Sequence, residues 1–444
     1  MPLAQSILCA HAGAETHAHG FDSFTEQMPR EWVDSAAQLS SHATIRRRRL
    51  PSDMVLWLVV GMAMFRNESI AEVARRLNIC ASGLANDALL ARSALSQARQ
   101  RLGSEPMKWL FQRSASVWGA ERYRGDDWNG LQLFALDGAL FRTPDTAELR
   151  EHFGSGNTST TRQTPFPMLR LVALMNVRSH VVLDAAISPY RRGEVPLANS
   201  LLQHLPERSI TLLDKGFFSA NLLLSIAKGK QRHWVIPERK RLVYQVVHEY
   251  GPGDRLVEMT VSAQARKANP ELPASWQARA VTYEVGTRTK TIFTSLPAEQ
   301  YSAEQVAQLY HQRWEIELGF RDIKSSMQHN AITLRSKKVE LIYQELWGLL
   351  LAYNVVRREA SKAAVEHGRE PQDVSFKFAF EYIAAQLIVI AGALSPAHTP
   401  RRLAELRGCI ANMFIEKRPR PSRPRAVKIS KTRYPINRHA APLK

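Results

Sequence analysis

Four residues in the C-terminal half of the chain have the side-chain types and the spacing to bind a charged substrate. They are Tyr310, Arg313, Glu317 and Lys324, and the last three stand 3, 7 and 14 positions after the first. Because an α-helix turns by about 100° per residue, one helix would place all four within an arc of roughly 60°. Such a face sets a carboxylate, a ligand for hard metal ions, beside two cations that bind phosphate. Taken alone, the four residues fit a solvated charged helix face equally well.

Apolar residues beside these four predict how the helix packs. The neighbouring arc contains Leu309, Ile316, Phe320, Ile323 and Met327. The helix is therefore expected to bury this stripe and to present the polar face at the edge of a core. Trp314 and Trp347 stand among apolar neighbours, and both are expected to pack in the core rather than to stack on bases.

The overall charge favours a polyanionic partner. The chain has 444 residues, 45% of them hydrophobic, which predicts a folded protein with roughly two to four domains. Its 60 Lys and Arg against 41 Asp and Glu leave a net charge of +19, and nucleic acid is the partner that this surplus favours. A generally basic protein without a specific ligand is the alternative.

Two segments concentrate the positive charge. The first is the uninterrupted run Arg46, Arg47, Arg48 and Arg49, and the second is the stretch 417–444, which contains ten Lys or Arg and no acidic residue. Both are expected to contact phosphate groups, and the prolines of the second predict disorder until it meets DNA or RNA. A solubilising tail without a binding role is the alternative for the second segment.

Cysteine usage and hydropathy predict a cytoplasmic protein. Cys9, Cys80 and Cys409 are far apart in the sequence and have neither a disulfide framework nor a zinc-binding spacing. The N-terminus lacks the features of a signal peptide, and the longest apolar run, 54–65, is too short to cross a bilayer. Neither secretion nor a membrane partner is expected.

Residues 1–125 predict a helical N-terminal domain that binds DNA. The segments 69–77 and 91–102 are expected to be helices, and together they are a candidate helix-turn-helix reader. Arg99 and Arg101 are its candidate DNA contacts. Any small helical bundle yields such a helix pair, so a purely structural bundle is the alternative.

From residue 131 onwards, short apolar runs predict the strands of a mixed α/β sheet, separated by helices near 194–205 and 219–227. The runs are 131–136, 168–177, 181–187, 210–213 and 233–236. Asp137 and Asp214 directly follow two of these runs, and ligands in open α/β sheets gather at the carboxyl ends of strands. Either acid alone fits a turn cap better. Together with Glu317 they are a candidate catalytic triad.

These blocks carry a family resemblance. The sequence resembles the DDE transposases of bacterial insertion sequences, in the branch marked by a Y-x2-R-x3-E-x6-K (YREK) signature, which the four residues at 310–324 match in full. The segments 136–138 and 142–145 are similar to the first catalytic block of that family, and 214–217 is similar to the second. The likeness covers most of residues 60–395. Ala139 and Lys215 depart from common residues of the family, and neither change removes an acidic residue.

The resemblance implies a ribonuclease H-like core in which Asp137, Asp214 and Glu317 are catalytic and hold two Mg²⁺ ions, for which Mn²⁺ can substitute. It also implies that Tyr310, Arg313 and Lys324 contact the DNA end. Hard cations with oxygen ligands suit an in-line displacement at phosphorus, which needs no tyrosine nucleophile and no nucleotide cofactor. The expected function is cut-and-paste transposition, with cleavage at terminal inverted repeats and joining of 3′ ends to target DNA.

The expected layout has six parts: the helical DNA-binding domain 1–125, the first part of the core 126–236, an all-β insertion 237–296, the second part of the core 297–335, a C-terminal helical region 336–410 and the basic tail 411–444. The enzyme is expected to act as a homodimer because two ends must be cut and joined together. The apolar stretch 341–394 is either the dimer interface or the core of a helical bundle. Nucleoid association is expected when DNA is bound.

Two other functions fit the same sequence features, and one further acidic residue, Glu194, lies between the two candidate aspartates in the sequence. A catalytically silent DNA-binding regulator derived from a transposase, or a nuclease on the same core, would share the charge and the fold. Glu194 follows Arg191-Arg192-Gly193 and is expected in the first turn of a helix, where it stabilises the helix dipole, so it is left outside the main site; a fourth acidic site residue is the alternative.

Overall fold

The computed structural model describes residues 28–40, 50–77, 79, 91–122, 127–156, 166–329, 333–393 and 399–415. The arginine run 46–49 and the basic segment 417–444 lie outside the described residues. The expected phosphate contacts of both segments therefore stay predictions.

Ten strands form one sheet that runs through the middle of the protein. They are β1 (Asp127–Trp128), β2 (Leu131–Arg142), β3 (Met168–Asn176), β4 (Val182–Pro189), β5 (Ser209–Leu213), β6 (Arg232–Pro237), β7 (Gln245–Gly251), β8 (Asp254–Thr260), β9 (Ser275–Val285) and β10 (Arg288–Thr294). The spatial order is β4-β3-β2-β5-β6-β10-β9-β8-β7, and β1 pairs with β2. Strands β4, β3 and β2 are antiparallel, whereas β5 and β6 run parallel to β2. This five-stranded unit is the expected ribonuclease H-like core.

The expected β insertion continues the core sheet instead of standing apart from it. Strand β10 pairs with β6, with Phe293 opposite Ile236, and β9, β8 and β7 follow outward. A short helix, Ala263–Ala268, interrupts the strands of this region. Because the insertion is bonded to β6, the chain that leaves it starts from the sheet that carries Asp214.

Helices cover both faces of the sheet. Those before the insertion are α1 (Arg30–Gln38), α2 (Ser52–Met64), α3 (Ile70–Arg76), α4 (Arg92–Leu102), α5 (Glu105–Trp118), α6 (Ala147–Phe153), α7 (Glu194–Leu201) and α8 (Ala220–Ala227). The later ones are α9 (Ala263–Ala268), α10 (Ala303–His311), α11 (Trp314–Arg321), a π-helix (Asp322–Met327), α12 (Val339–Glu366), α13 (Phe376–Ala393) and α14 (Thr399–Ile410). Helices α7 and α8 pack on one face, and α11, α12 and the N-terminal helices share the core of the other.

The long helix α12 joins the N-terminal and C-terminal helices into one core. It packs against α2 and α5, and Gly348 allows the closest approach. A Cβ atom at Gly348 would stand 2.6 Å from Cγ1 of Val59, so a larger residue would push the two helices apart. The N-terminal helices are thus packed on the helical layer that covers the catalytic core.

The apolar stretch 341–394 forms the interior of this helical layer. Its large side chains are buried within the chain itself: Trp347, Leu350, Tyr353, Phe376, Phe380, Ile383 and Leu387. These side chains therefore pack in the core of the helical layer, and a role of the stretch in dimerisation stays a prediction. Among the described helices, none combines the length and the apolar character needed to cross a bilayer.

Arg99 contradicts its expected contact with DNA. Its side chain is buried against α12, where Nε donates to Oε1 of Gln344 at 2.8 Å and Nη2 donates to Oγ of Ser336 at 3.0 Å. Burial lowers the pKa of Arg99 to about 10. The expected DNA contact is wrong because α4 turns this arginine inward to tie itself to α12.

The two expected helices of the helix-turn-helix are present. Ser69 caps α3, since its hydroxyl accepts from the backbone N–H of Glu72 at 3.2 Å. Arg101 is half-buried at the end of α4. Residues 80–90, which join the two helices, lie outside the described part of the chain, so DNA reading by this pair stays a prediction.

Candidate active site

Strand register brings Asp137 and Asp214 side by side. Leu136 of β2 and Leu213 of β5 are partners in a parallel pair, so the next residue on each strand is an aspartate. Neighbouring strands lie about 4.8 Å apart, which places the two backbones in direct contact. Because side chains alternate along a strand, both acids point away from the leucine face and toward the face that α11 covers.

The two acids differ in their local structure. Asp214 follows the end of β5, as expected, and its carboxylate accepts from the backbone N–H of Gly216 at 3.5 Å, so it also caps the next turn. Asp137 does not follow a strand end. Strand β2 continues to Arg142 because its pairing with β3 runs on to Met168, so the expected sharp exit at Gly138 is wrong.

The segment that carries the four-residue signature is not one continuous helix. Helix α10 ends at His311, α11 begins at Trp314, and a π-helix follows from Asp322. Between the first two helices, the N–H of Arg313 bonds to the carbonyl of Tyr310 at 3.1 Å, a tighter turn than an α-helix makes. The expectation of a single helix is therefore wrong, since tertiary contacts of this segment override its uniform helical pattern.

Tyr310 is attached to the strand that leads into Asp214. Its hydroxyl donates to the carbonyl oxygen of Leu213 at 3.2 Å. Burial raises the pKa of the Tyr310 phenol far above its usual value, so the hydroxyl stays protonated. A neutral, hydrogen-bonded phenol fits a positioning role and does not fit a nucleophile.

Glu317 and Lys324 share a cavity with Asp137. The cavity has a volume of about 500 Å³, and its lining consists of Asp137, Gly138, Glu317, Phe320, Arg321, Lys324 and Ser325. Nη2 of Arg313 donates to Oε1 of Glu317 at 2.5 Å. Asp214 is not part of this lining, but its charge acts on both Asp137 and Arg313. We call Asp137, Asp214 and Glu317 the acidic edge.

The charges of the acidic edge act on one another. Burial, with smaller contributions from the carboxylates of Glu317 and Asp214, raises the pKa of Asp137 to about 6, against the opposing effects of the Gly138 N–H and the Arg313 charge. Like charges that crowd a half-buried site favour a cation between them. The donor set is all oxygen, which suits Mg²⁺.

The acidic edge is not a closed metal cage. Within the described residues, no group of three or more His, Cys, Asp or Glu side chains stands close enough to hold one ion. Glu317 directs its carboxylate at Arg313 instead of at the two aspartates. The residue types therefore fit divalent ions, whereas the side-chain arrangement requires Glu317 to turn before all three acids can share them.

Buried contacts hold α11 and the π-helix from behind. His180 Nε2 lies 2.8 Å from Oε2 of Glu315, and Arg357 pairs with Asp322. Nε of Arg66 donates to Oε1 of Gln328 at 2.8 Å. We call these three pairs the anchoring face. They fix the segment whose opposite side carries Glu317 and Lys324.

The expected places of the two tryptophans were half correct. Trp347 is buried, as expected. Trp314 is 57% exposed, so the prediction that it packs in the core is wrong. Ile316, which belongs to the expected apolar stripe, faces the interior, and Trp314 lies outside that stripe.

Glu194 is a residue that the sequence did not assign to the main site. It begins α7, as expected, but its carboxylate reaches Gly138 and Gly216, the glycines near the two aspartates. The signal in the sequence is the glycine after Asp137, which makes room for another side chain. From the sequence alone, that glycine indicates a strand exit instead.

The sheet order and the acidic edge define a class, the ribonuclease H-like enzymes that act on nucleic acid. A family model described as "Transposase DDE domain" matches residues 128–355, and one described as "Insertion element 4 transposase N-terminal" matches residues 18–112.

Relatives match almost the whole chain. A putative transposase, InsZ, of Escherichia coli (strain K12) is 38% identical over 95% of this chain and 92% of its own length. InsG, a transposase for insertion sequence element IS4 of the same strain, is 37% identical over 93% of both chains. A solved structure of a piggyBac transposase synaptic complex with hairpin DNA matches 92% of this chain and 86% of its own chain, with a TM-score of 0.43 and 11% identity. The fold is assigned from the strand order of the sheet and not from this likeness. The chain belongs to the IS4 family of DDE transposases.

Proposed function

We propose that this transposase cuts DNA at the terminal inverted repeats of its insertion sequence and joins the 3′ ends to target DNA. Asp137, Asp214 and Glu317 would hold two Mg²⁺ ions, or Mn²⁺ in their place. The observation that supports this is the register of β2 with β5, which sets two aspartates side by side, with Glu317 across the cavity from Asp137. When bound, such ions activate a water or a 3′ hydroxyl and stabilise the leaving oxygen.

The remaining signature residues would position the DNA end. Arg313 offers a planar fork that binds a phosphate at two oxygens, and Lys324 offers a mobile point charge in the cavity. A phosphate that takes Arg313 would release Glu317 from its present pair and free its carboxylate for metal. Tyr310 would orient a phosphate or hold β5 in place through its neutral hydroxyl.

Positively charged residues outside the signature would also contact double-stranded DNA. Arg46, Arg47, Arg48 and Arg49 remain proposed contacts, as does Arg101, whereas buried Arg99 does not. A homodimer in the DNA complex would allow both element ends to be cut together. The protein would work in the cytoplasm, on the nucleoid.

The test is a cleavage and joining reaction. Full-length protein is incubated with a labelled element end, target DNA and Mg²⁺, and the products are separated on a denaturing gel. The proposal expects cut ends and joined product. Cleavage without joining would favour the nuclease, and end binding without any cleavage would favour the silent regulator.

The assignment of the acids has its own control. Asp137→Ala, Asp214→Ala and Glu317→Ala should each lower cleavage by at least about 10³-fold, as loss of a catalytic group does. Binding of the labelled end should persist in all three variants. An Ala variant that cleaves at the wild-type rate would remove that residue from the proposed site.

A further inference from the structure

The glycine after the first catalytic aspartate faces a fourth acidic residue. A Cβ atom at Gly138 would lie 2.7 Å from Oε1 and 2.8 Å from Cδ of Glu194, so the carboxylate of Glu194 would have to move. Gly138 has no positive φ, so its backbone conformation does not require glycine. The space is kept open for the carboxylate of Glu194.

The same carboxylate also lies beside Gly216, two residues after Asp214. A Cβ atom at Gly216 would lie 3.8 Å from Oδ2 of Asp214 and 3.9 Å from Oε2 of Glu194. Both carboxylates therefore border one small volume beside the turn that follows β5. One oxygen of Glu194 faces the segment of Asp137, and the other faces the segment of Asp214.

Arg170 holds Glu194 in this place. Its Nη1 donates to Oε1 of Glu194, and its guanidinium lies 5.5 Å from the ring centroid of Tyr190. Arg170 belongs to β3, where it pairs with Leu140 of β2, so the pair is tied to the strand that carries Asp137. The Arg170 side chain is only 17% exposed, which strengthens the ion pair relative to one on the surface.

A first-turn acid that stabilises the helix dipole does not account for these contacts. The dipole acts on any acid in the first turn and requires no partner, no facing glycine and no neighbouring catalytic residue. Glu105 is such an acid, since it begins α5 with a side chain that is 67% exposed. Glu194 differs from it in being packed between the two catalytic segments.

We propose that Glu194 is a positioning residue for the metal-holding acids. Pinned by Arg170, it fixes the backbone beside Asp137 and Asp214 and adds a negative charge near the ions that they would hold. Groups that orient metal ligands in this way typically contribute 10–100-fold to metal affinity. The inference rests on the proposed function, because it assumes that the acidic edge binds divalent ions.

Calorimetric titration of the full-length protein with Mn²⁺ tests this role without relying on activity. Glu194→Gln keeps the size of the side chain and removes its charge, and the Kd for Mn²⁺ should rise by about 10-fold. Metal-free binding of the element end should stay unchanged. Glu105→Gln is the matched control and should bind Mn²⁺ as the wild type does. An unchanged Kd in Glu194→Gln would overturn the inference.

A second pair of variants covers the case in which Glu194→Gln does not fold. Gly138→Ala should lower the unfolding temperature, because its methyl group meets the Glu194 carboxylate, and Gly138→Ala with Glu194→Ala should restore it. The double variant should still bind Mn²⁺ about 10-fold more weakly than the wild type. Recovery of both stability and Mn²⁺ affinity would show that Glu194 only fills space.

Measurements on the wild-type protein distinguish failure of the proposed function from failure of the role of Glu194. A wild type that neither binds Mn²⁺ nor cleaves an element end contradicts the proposed function itself. A wild type that does both, beside a Glu194→Gln variant of equal Mn²⁺ affinity, contradicts only the role of Glu194.

Discussion

The two sides of the segment formed by α11 and the π-helix differ in how their carboxylates are paired. On the anchoring face, the carboxylate of Glu315 meets His180, and the carboxylate of Asp322 meets Arg357, both inside the protein. On the acidic edge, burial raises the pKa of Asp137 to about 6, and the negative charges of Glu317 and Asp214 act in the same direction. On the anchoring face each carboxylate has its own buried partner, whereas on the acidic edge three carboxylates stand near one another and only Glu317 is paired, with Arg313.

This difference separates stability from chemistry within a few residues of one segment. A buried ion pair that loses one partner leaves a charge without compensation, which destabilises the fold. A site that crowds carboxylates without a cation is itself destabilising, and loss of one carboxylate relieves the repulsion. Variants on the two sides should therefore change the free energy of unfolding in opposite directions.

The largest effect on stability is expected on the anchoring face. Arg357→Ala would leave Asp322 buried without its partner and remove a guanidinium that lies 4.7 Å from the ring centroid of Phe376. The free energy of unfolding should fall by about 3–5 kcal/mol, measured by urea denaturation. Lys377→Ala breaks the exposed pair with Glu381 and is the control, with an expected loss of at most about 1 kcal/mol. An equal loss of unfolding free energy in the two variants would contradict a stabilising role of the buried Arg357–Asp322 pair.

The acidic edge should show the opposite sign. Asp137→Asn should raise the free energy of unfolding of the metal-free protein at pH 8 by up to about 3 kcal/mol, while cleavage is lost. The raised pKa means that folding favours the protonated acid, so the wild type loses stability as pH rises from about 3.8 to about 6. The gain should be absent below that window and complete above it.

Two controls belong to the Asp137 measurement. Asp34→Asn, at a side chain that is 52% exposed, should change stability little at any pH. Mg²⁺ should stabilise the wild type and not Asp137→Asn, which reduces the difference between them. A variant less stable than the metal-free wild type at pH 8 would contradict the crowding of charge at this edge.

A smaller, pH-dependent effect is expected from His180 on the anchoring face. Burial and the charge of Arg357 lower its pKa despite Glu315, so the folded state favours the neutral imidazole. The unfolded chain takes up the proton as pH falls below 6.5, and stability is lost at up to about 1.4 kcal/mol per pH unit. His180→Gln should remove this part of the acid sensitivity between pH 7 and pH 5. His248→Gln, at an exposed histidine of β7, should leave the pH dependence as it is.

The smallest effect is expected where α11 begins. Trp314→Ala should change the free energy of unfolding by no more than about 0.5 kcal/mol, because the side chain is 57% exposed. Trp347→Ala, at a buried position of α12, should cost about 3–5 kcal/mol and serves as the reference. A large loss at Trp314 would mean that its ring is packed more tightly than its exposure indicates.

Much of the core could be predicted from local patterns. The apolar runs at 131–136, 168–177 and 210–213 became strands because short β-rich runs between polar turns have few other solutions. The acids fell on two neighbouring strands, since parallel pairing of β2 with β5 aligns Leu136 with Leu213. The end of β2 was missed because its continuation depends on pairing with β3, which local sequence does not encode.

The candidate site was predictable in its residue types and less so in its arrangement. The spacing of Tyr310, Arg313 and Glu317 implied one helix, and contacts with β5 and α12 instead divided the segment into two helices and a π-helix. Arg99 had the charge of a DNA contact, but packing against α12 buried it. In both cases a distant element outweighed a local preference.

By itself, the sequence determined the strands of the core, the acids at 137, 214 and 317, and the surplus of positive charge. These depend on residue type and short spacing, which are local properties. Only the tertiary structure decided that Glu194 stands beside the two candidate aspartates and that buried pairs anchor the helix behind them. Such contacts join residues far apart in the chain, and their energies exist only once the sheet and helices have packed.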